Sequence, residues 1–369
     1  MHILFAGGGT AGHINPALAV AGYIKEKHPD AKISYIGTAN KLEAKLVPEK
    51  GYDFYSIQVS GFQRKLTPVN IAKNVKAAAN AVTASVKARS LLKKLNPDLV
   101  VGTGGYVSGP VLREAAKLGF KTAIHEQNAY PGITNKMLSN IVDRVMLAMP
   151  EAKNRFKLSR DPYITGNPVR QELTKISKDE AKTRLGFDNR PVILSFGGSL
   201  GAQKINEAVT ELINHHNGTG EYYHIHGTGK AGYDDMKASL SGIKLAKEID
   251  IREYISDMDV CMSAADLVIC RAGAITLSEL TVCRKPSVLI PSPYVAENHQ
   301  FHNAMTLKNA GAAEVIEEKE LSGEKLVSVV SNILSDTSKL ESMSKNADSV
   351  AIDDANERIY NILMDLLDK

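Results

Sequence analysis

The sequence predicts an α/β protein of two doubly wound, Rossmann-like domains facing a cleft. Three observations carry that reading: a strand–glycine-loop–helix unit that occurs twice, strands echoed at matching offsets in both halves, and strands that are continuous apolar runs. In the first unit His2-Ile3-Leu4-Phe5-Ala6 runs into Gly7-Gly8-Gly9-Thr10-Ala11-Gly12-His13, then the helical pattern Pro16-Ala17-Leu18-Ala19-Val20-Ala21. In the second, Val192-Ile193-Leu194-Ser195-Phe196 runs into Gly197-Gly198-Ser199-Leu200-Gly201-Ala202, then Ile205-Asn206-Glu207-Ala208-Val209. Such a turn offers backbone N–H groups and the positive end of a helix to phosphate.

The echoes continue. Ile33–Thr38 reappears as Tyr223–Thr228, and Asp98–Gly105 as Asp266–Gly273. Val/Ile/Leu runs alternating with helical stretches predict parallel sheets covered on both faces, with ligands at the carboxyl ends of the strands. Gly166 and Pro168 break the pattern near Tyr163–Pro168, which predicts domains 1–165 and 166–369. Ile359, Ile362, Leu363, Leu366 and Leu367 have helical spacing and predict an amphipathic helix closing the second domain.

At 369 residues the chain has room for two cores, and 43% hydrophobic with 23% charged residues is a soluble globular composition. Cys261, Cys270 and Cys283 form neither a metal-type pair nor a disulfide framework. The chain opens on a core strand, and no apolar run approaches the ~18 residues of a membrane span. A cytoplasmic protein, or one lying on a membrane without crossing it, is expected. Residues 1–165 carry 23 Lys+Arg against 11 Asp+Glu, and residues 166–369 carry 22 against 30. The basic half is suited to an anionic partner, nucleic acid or lipid, and charge alone does not choose between them.

Several motifs have plainer readings. Gly7-x-Gly9-x-x-Gly12 matches a dinucleotide fingerprint, but the second strand ends in Gly37-Thr38-Ala39-Asn40 without the carboxylate that would hold a ribose. Gly197-Gly198-Ser199-Leu200-Gly201 fits a hydrolase nucleophile elbow, with Asp266 and His299 downstream. Its sister turn carries Thr10 in the matching place, and hydroxyls beside helix N-termini suit phosphate better. Asp257-Met258-Asp259 resembles a cation-binding pair, but a helix start capped by Ser256 after a strand Glu253–Ile255 is the better reading. His224 and His226 lack a third metal ligand, and Gly227-Thr228-Gly229-Lys230 lacks the rest of a P-loop. Three stretches at strand ends mark a site: Gly102–Pro110, His125-Glu126-Gln127-Asn128, and Arg271–Glu279.

Segments 7–21, 102–110, 125–132, 165–170, 196–206, 270–280 and 297–304 together resemble the MurG family, in order along nearly the whole chain. Ala11, where many relatives have glycine, and Phe301-His302 are mild departures. The resemblance implies a GT-B glycosyltransferase that moves N-acetylglucosamine from UDP-N-acetylglucosamine to an undecaprenyl-pyrophosphate-linked muramyl-pentapeptide. Another GT-B enzyme, a glycolipid glycosyltransferase or a UDP-N-acetylglucosamine 2-epimerase, is the alternative.

By motif, the resemblance sets Ile255 and Arg170 around the uracil and Glu279 on the ribose. Ser199 and the turn Gly273, Ala274, Thr276 would hold phosphate, and Asn128 and Gln300 would read the sugar. Thr10, Ala11, Gly12 and His13 would face the donor from the other domain, near the acceptor's pyrophosphate. His13 is the first candidate for the base, with Tyr106, His125 and Glu126 as the others. No cofactor, metal or nucleic acid is implied. A peripheral place on the cytoplasmic face of the membrane is, with Ile133, Met137, Leu138, Ile141, Val142, Lys136, Arg144 and the segment 71–94 as candidate contacts.

Overall fold

The computed structural model describes residues 1–59, 68–198 and 201–368, with the backbone alone for 68–79, 81 and 171. It divides into two compact units, residues 1–169 with 354–369, and residues 170–353.

The first unit runs β1 (His2–Gly7), α1 (Ala11–Lys27), β2 (Lys32–Gly37), α2 (Glu43–Glu49), β3 (Asp53–Ser56) and α3 (Pro68–Leu95). It continues through β4 (Leu99–Gly104), α4 (Gly105–Lys117), β5 (Lys121–Glu126), α5 (Ile133–Leu138), β6 (Arg144–Leu147) and β7 (Tyr163–Ile164). These strands form one parallel sheet ordered β3-β2-β1-β4-β5-β6-β7. Alternate residues serve opposite faces: Ile3, Phe5, Leu99 and Val101 pack on one side, and Leu4, Val100, Ile124 and Leu147 on the other. The chain builds outward from β1 to β3, then restarts at β4 on the opposite side of β1. That reversal opens a crevice at the carboxyl ends of β1 and β4. Gly7 pairs with Gly104 there, across an irregularity after Ala6.

The second unit repeats the plan with α6 (Lys178–Leu185), β8 (Val192–Phe196), α7 (Gln203–His216), β9 (Tyr223–Gly227), α8 (Tyr233–Ser239) and β10 (Ile249–Arg252). Then come α9 (Met258–Ala264), β11 (Leu267–Cys270), α10 (Ala274–Val282), β12 (Ser287–Leu289), α11 (His299–Asn309), β13 (Ala313–Val315), α12 (Gly323–Leu334) and α13 (Thr337–Ser349). Its parallel sheet is ordered β10-β9-β8-β11-β12-β13, so its crevice lies at the ends of β8 and β11.

Three expectations are corrected. The last helix, α14 (Ala355–Asp368), packs on the first unit and does not close the second. Ile359, Leu363 and Leu366 bury in the cluster that holds Val20, Ala21 and Ile24 of α1. Arg144 pairs with Asp365, and His28 bonds the Tyr360 hydroxyl. An apolar stripe specifies burial without specifying which sheet supplies the cover. The boundary accordingly falls at Val169/Arg170, and the first unit has two chain segments. Finally, the expected strand Glu253–Ile255 lies in the turn after β10, and α9 starts from Asp257 in place of Ser256, with no side-chain cap.

Candidate active site

In the first unit two glycine turns meet at the crevice. The turn after β1 leads into α1, whose N-cap Thr10 has extended backbone and whose first amides, those of Ala11 and Gly12, have no partner among the described residues. The turn after β4 is held by Ser108, whose hydroxyl accepts from the Gly104 N–H (3.0 Å) and donates to the Ala6 carbonyl (2.7 Å). Gly105 sits at φ +78°, and a Cβ there would overlap the Gly8 carbonyl, so the two turns touch backbone to backbone. The Thr103 hydroxyl donates to the His13 carbonyl (2.7 Å) and ties the first turn of α1 to β4.

Thr10 and Gly12 are exposed and Ala11 and His13 half-buried, with the His13 ring bonded to Gln127 (Nδ1 to Oε1, 3.1 Å). Gln127 reaches in turn to His125 Nδ1 (3.1 Å), and His125 Nε2 donates to the Gly166 carbonyl (3.0 Å). The amide orientation fixes the hydrogens along this chain. The Gln127 amide nitrogen donates to His125, so the Gln127 oxygen accepts from His13 Nδ1–H. In the neutral ring His13 Nε2 is then the acceptor, and it has no partner among the described residues. Burial holds His125 below the usual imidazole range, with the Gly166 carbonyl and Glu126 pulling the other way.

Glu126 is buried, and its two oxygens accept from the Asn128 backbone and side chain, the Gly132 N–H and Asn135. Glu126 therefore spends its hydrogen-bonding capacity on its own loop, where Asn128 spends one amide hydrogen, and His125 spends its on Gln127 and Gly166. Tyr106, in the first turn of α4, is 60% exposed.

In the second unit Arg170 and Glu279 come together. Both Arg170 Nε and its terminal nitrogen bond Glu279 Oε1 at 3.0 Å, while Glu279 Oε2 has no partner among the described residues. Burial pushes the Glu279 carboxyl up, and the Arg170 guanidinium pulls it partway back. Gly273 caps α10, placing Ala274 and Thr276 in its first turn, and Asn303 donates to the Ala272 carbonyl beside it (3.3 Å). Gln300, on α11, accepts the Ser292 N–H (2.9 Å), and its helix starts from a turn with Glu297 and Asn298 at left-handed φ. Ile255 is buried against Gly227, and its backbone makes no hydrogen bond among the described residues. Ser199 lies outside the described residues.

The rival motifs resolve into structure. Asp266 accepts the Val192 N–H and pairs with Lys178 and Lys182 at the amino ends of β8 and β11, the opposite edge from the glycine turn. Asp257 pairs with Arg252 (2.7 Å), and no metal-holding group of His, Cys, Asp and Glu occurs among the described residues. Sequence reasoning gave Gln127, named within the polar run, no role of its own, and it missed Glu43, which the fold returns to the first glycine turn (Gly9 N–H to Oε2, 3.2 Å).

Residues 3–147 match the family model of the glycosyltransferase family 28 N-terminal domain, and residues 192–359 that of its C-terminal domain. A relative from Acetivibrio thermocellus, named UDP-N-acetylglucosamine--N-acetylmuramyl-(pentapeptide) pyrophosphoryl-undecaprenol N-acetylglucosamine transferase, is 47% identical, covering 100% of this chain and 98% of its own. A protein of the same name from Ruminiclostridium cellulolyticum is 43% identical, with 100% of both chains covered. The crystal structure of Acinetobacter baumannii MurG is 28% identical with a TM-score of 0.80, over 99% of each chain. A UDP-GlcNAc 2-epimerase from Neisseria meningitidis, at 13% identity and a TM-score of 0.68 over 99% of this chain and 100% of its own, shares the fold alone.

Proposed function

The chain belongs to glycosyltransferase family 28 and, within it, to the MurG N-acetylglucosaminyltransferases, and we propose that the two units divide the two substrates of that reaction. The enzyme moves N-acetylglucosamine from UDP-N-acetylglucosamine to undecaprenyl-pyrophosphoryl-N-acetylmuramyl-pentapeptide in peptidoglycan synthesis. The donor belongs to the second unit. Glu279 Oε2 takes the ribose hydroxyls while Arg170 holds the other oxygen, the Ile255 backbone meets the uracil edge, and the first turns of α7 and α10 take the diphosphate. Gln300 reads the sugar. On the first unit the amides of Ala11 and Gly12 take the acceptor's pyrophosphate, with Thr10 and Tyr106 beside it.

The chemistry is one inverting displacement. The muramyl 4-hydroxyl oxygen attacks the anomeric carbon, the bond to UDP breaks, and UDP leaves with the electron pair. The helix ends that hold the diphosphate stabilise the charge it gains. The hydroxyl proton goes to His13 Nε2. The observation that supports this role is the bond from His13 Nδ1 to Gln127, which selects the tautomer of the neutral ring that presents Nε2 as an acceptor. His125 and Glu126 hold the loop that positions Gln127 and Asn128.

Among the described residues no helix is long and apolar enough to cross a membrane. The lipid acceptor is met at an anionic surface by Ile133, Met137 and Ile141, which are exposed on and just after α5, together with Lys136. Arg144 is left out of that contact here, because its side chain is mostly buried and pairs with Asp365. Of the segment 71–94, the side chains of Lys73 and Lys76 lie outside the described residues.

Transfer of labelled sugar to a short-chain lipid acceptor tests the assignment. His13→Gln should lower kcat by about 10²–10⁴-fold, the usual share of a general base, with UDP affinity unchanged. An unchanged kcat removes His13 from the role. Activity should also survive a chelator, and loss restored by magnesium would return Asp257 and Asp259 as ligands.

A further inference from the structure

Glu43 opens α2, yet its carboxylate is fully buried behind the glycine turn that follows β1. Oε1 accepts from the Thr38 N–H (3.0 Å) and the Thr38 hydroxyl, and Oε2 accepts from the Gly9 N–H (3.2 Å). A Cβ on Gly8 would overlap this carboxylate, and one on Gly37 would overlap its side chain, so the turn and the end of β2 close around it. No ion pair with Glu43 occurs among the described residues. A buried carboxylate without a cation is costly unless donors surround it, and here every donor belongs to the turn or to the end of β2.

From this geometry we infer that Glu43 is the positioning residue of the first glycine turn. It takes the Gly9 amide out of a ligand's reach and fixes the turn so that only the amides opening α1 face the acceptor's pyrophosphate. Donors directed at phosphate are then those of Ala11 and Gly12, at the positive helix end, beside His13. The carboxylate itself stays behind the backbone, where its charge is spent on three donors before any anion arrives. This inference rests on the reading that α1 holds the acceptor pyrophosphate.

Two variants separate the inference from that reading. Glu43→Gln is isosteric and can keep its oxygen on the two Thr38 donors, but it then turns an amide NH₂ toward Gly9 and breaks only that bond. It should raise the acceptor KM about ten-fold or more, the scale of one hydrogen bond to a charged group, with kcat changed less and UDP affinity unchanged. Glu43→Ala should do the same and lower Tm as well; where it fails to fold, Glu43→Gln decides alone. Ala11→Pro removes a free amide at the first helical position, where proline is tolerated and where Thr10 already has the extended backbone proline requires. It tests the underlying reading.

An acceptor KM raised by Ala11→Pro but unmoved by Glu43→Gln overturns the inference and spares the reading. An acceptor KM unmoved by Ala11→Pro overturns the reading. Equal losses for donor and acceptor in Glu43→Gln would mean general loosening, and would overturn the positioning role.

Discussion

Behind the glycine turn of the first unit lies one buried carboxylate; behind that of the second lies a chain of uncharged rings. In the second unit His216 bonds His224 (3.0 Å), His224 bonds Ser195 (2.7 Å), Ser195 bonds His226 (2.7 Å), and His226 bonds Asn206 Oδ1 (3.2 Å). The Asn206 amide nitrogen donates to the Thr228 carbonyl (3.0 Å), so its oxygen can only accept. That forces His226 to donate from Nε2 and to accept from the Ser195 hydroxyl. Burial keeps all three rings neutral, and the same direction then passes to His224 and His216. Thr228 in turn backs the glycine turn, because a Cβ on Gly201 would overlap its carbonyl.

The surfaces differ as the supports do. The first unit carries 25 Lys+Arg against 15 Asp+Glu, and the second 20 against 26. One topology therefore presents two glycine turns whose supports should answer differently to mutation and to pH.

The largest effects should come from the two glycines that close the turns. Gly105→Ala and Gly201→Ala each combine a left-handed φ with backbone overlap. Each should cost about 100-fold or more in kcat/KM, the scale of a 1 Å misplacement at a reacting centre. Steady-state kinetics should assign the Gly105 loss to the acceptor and the Gly201 loss to the donor. Losses that cross over would break the division between units.

Acid should find the second unit first. Burial holds His226 and His216 down at about 4, while an unfolded imidazole titrates near 6.5. Above about 6.5 neither state binds the proton; between there and about 4 only the unfolded chain does, so stability is lost as pH falls through that window. For His226 alone the loss is about 3 kcal/mol once pH is below 4. Urea unfolding at pH 7 and pH 4.5 should separate the units, the second moving to lower denaturant. Midpoints that move together would break the contrast.

Next is Glu279→Ala. Removing the ribose acceptor, and leaving Arg170 without its partner, should weaken UDP by roughly one to two orders of magnitude. Calorimetry that finds wild-type affinity would remove Glu279 from the donor site. The smallest effect belongs to the surface of the first unit. Lys136→Gln with Ile133→Ser and Met137→Ser should weaken binding to acidic vesicles, about 1 kcal/mol of it from the lysine, with UDP binding unchanged. Undiminished sedimentation with vesicles would direct the search to the exposed Val82 and Val86 of α3.

By itself the sequence determined the fold class, the two sheets and the glycine turns at their carboxyl ends. Strands buried on both faces must be apolar throughout, and turns that approach another backbone must be glycine; both constraints are local and therefore legible. The tertiary structure decided what depends on partners distant in sequence. The apolar stripe of α14 demanded a cover, but only the packed units show that α1 supplies it. In the sequence Arg144 is a cation near an apolar stripe; only the fold brings Asp365 beside it. The strand expected at Glu253–Ile255 moved to Ile249–Arg252, where pairing with β9 satisfies the backbone. His125 and Glu126 read as reactive groups because polar residues stood at a strand end; the loop folding back from Gly132 and Asn135 uses Glu126, and Gln127 with Gly166 uses His125. No carboxylate follows β2 at the distance a dinucleotide site requires, yet the turn after β2 brings Glu43 to the first glycine turn. A carboxylate in a sequence has only a charge; burial and the donors around it, which the fold alone supplies, give it a role.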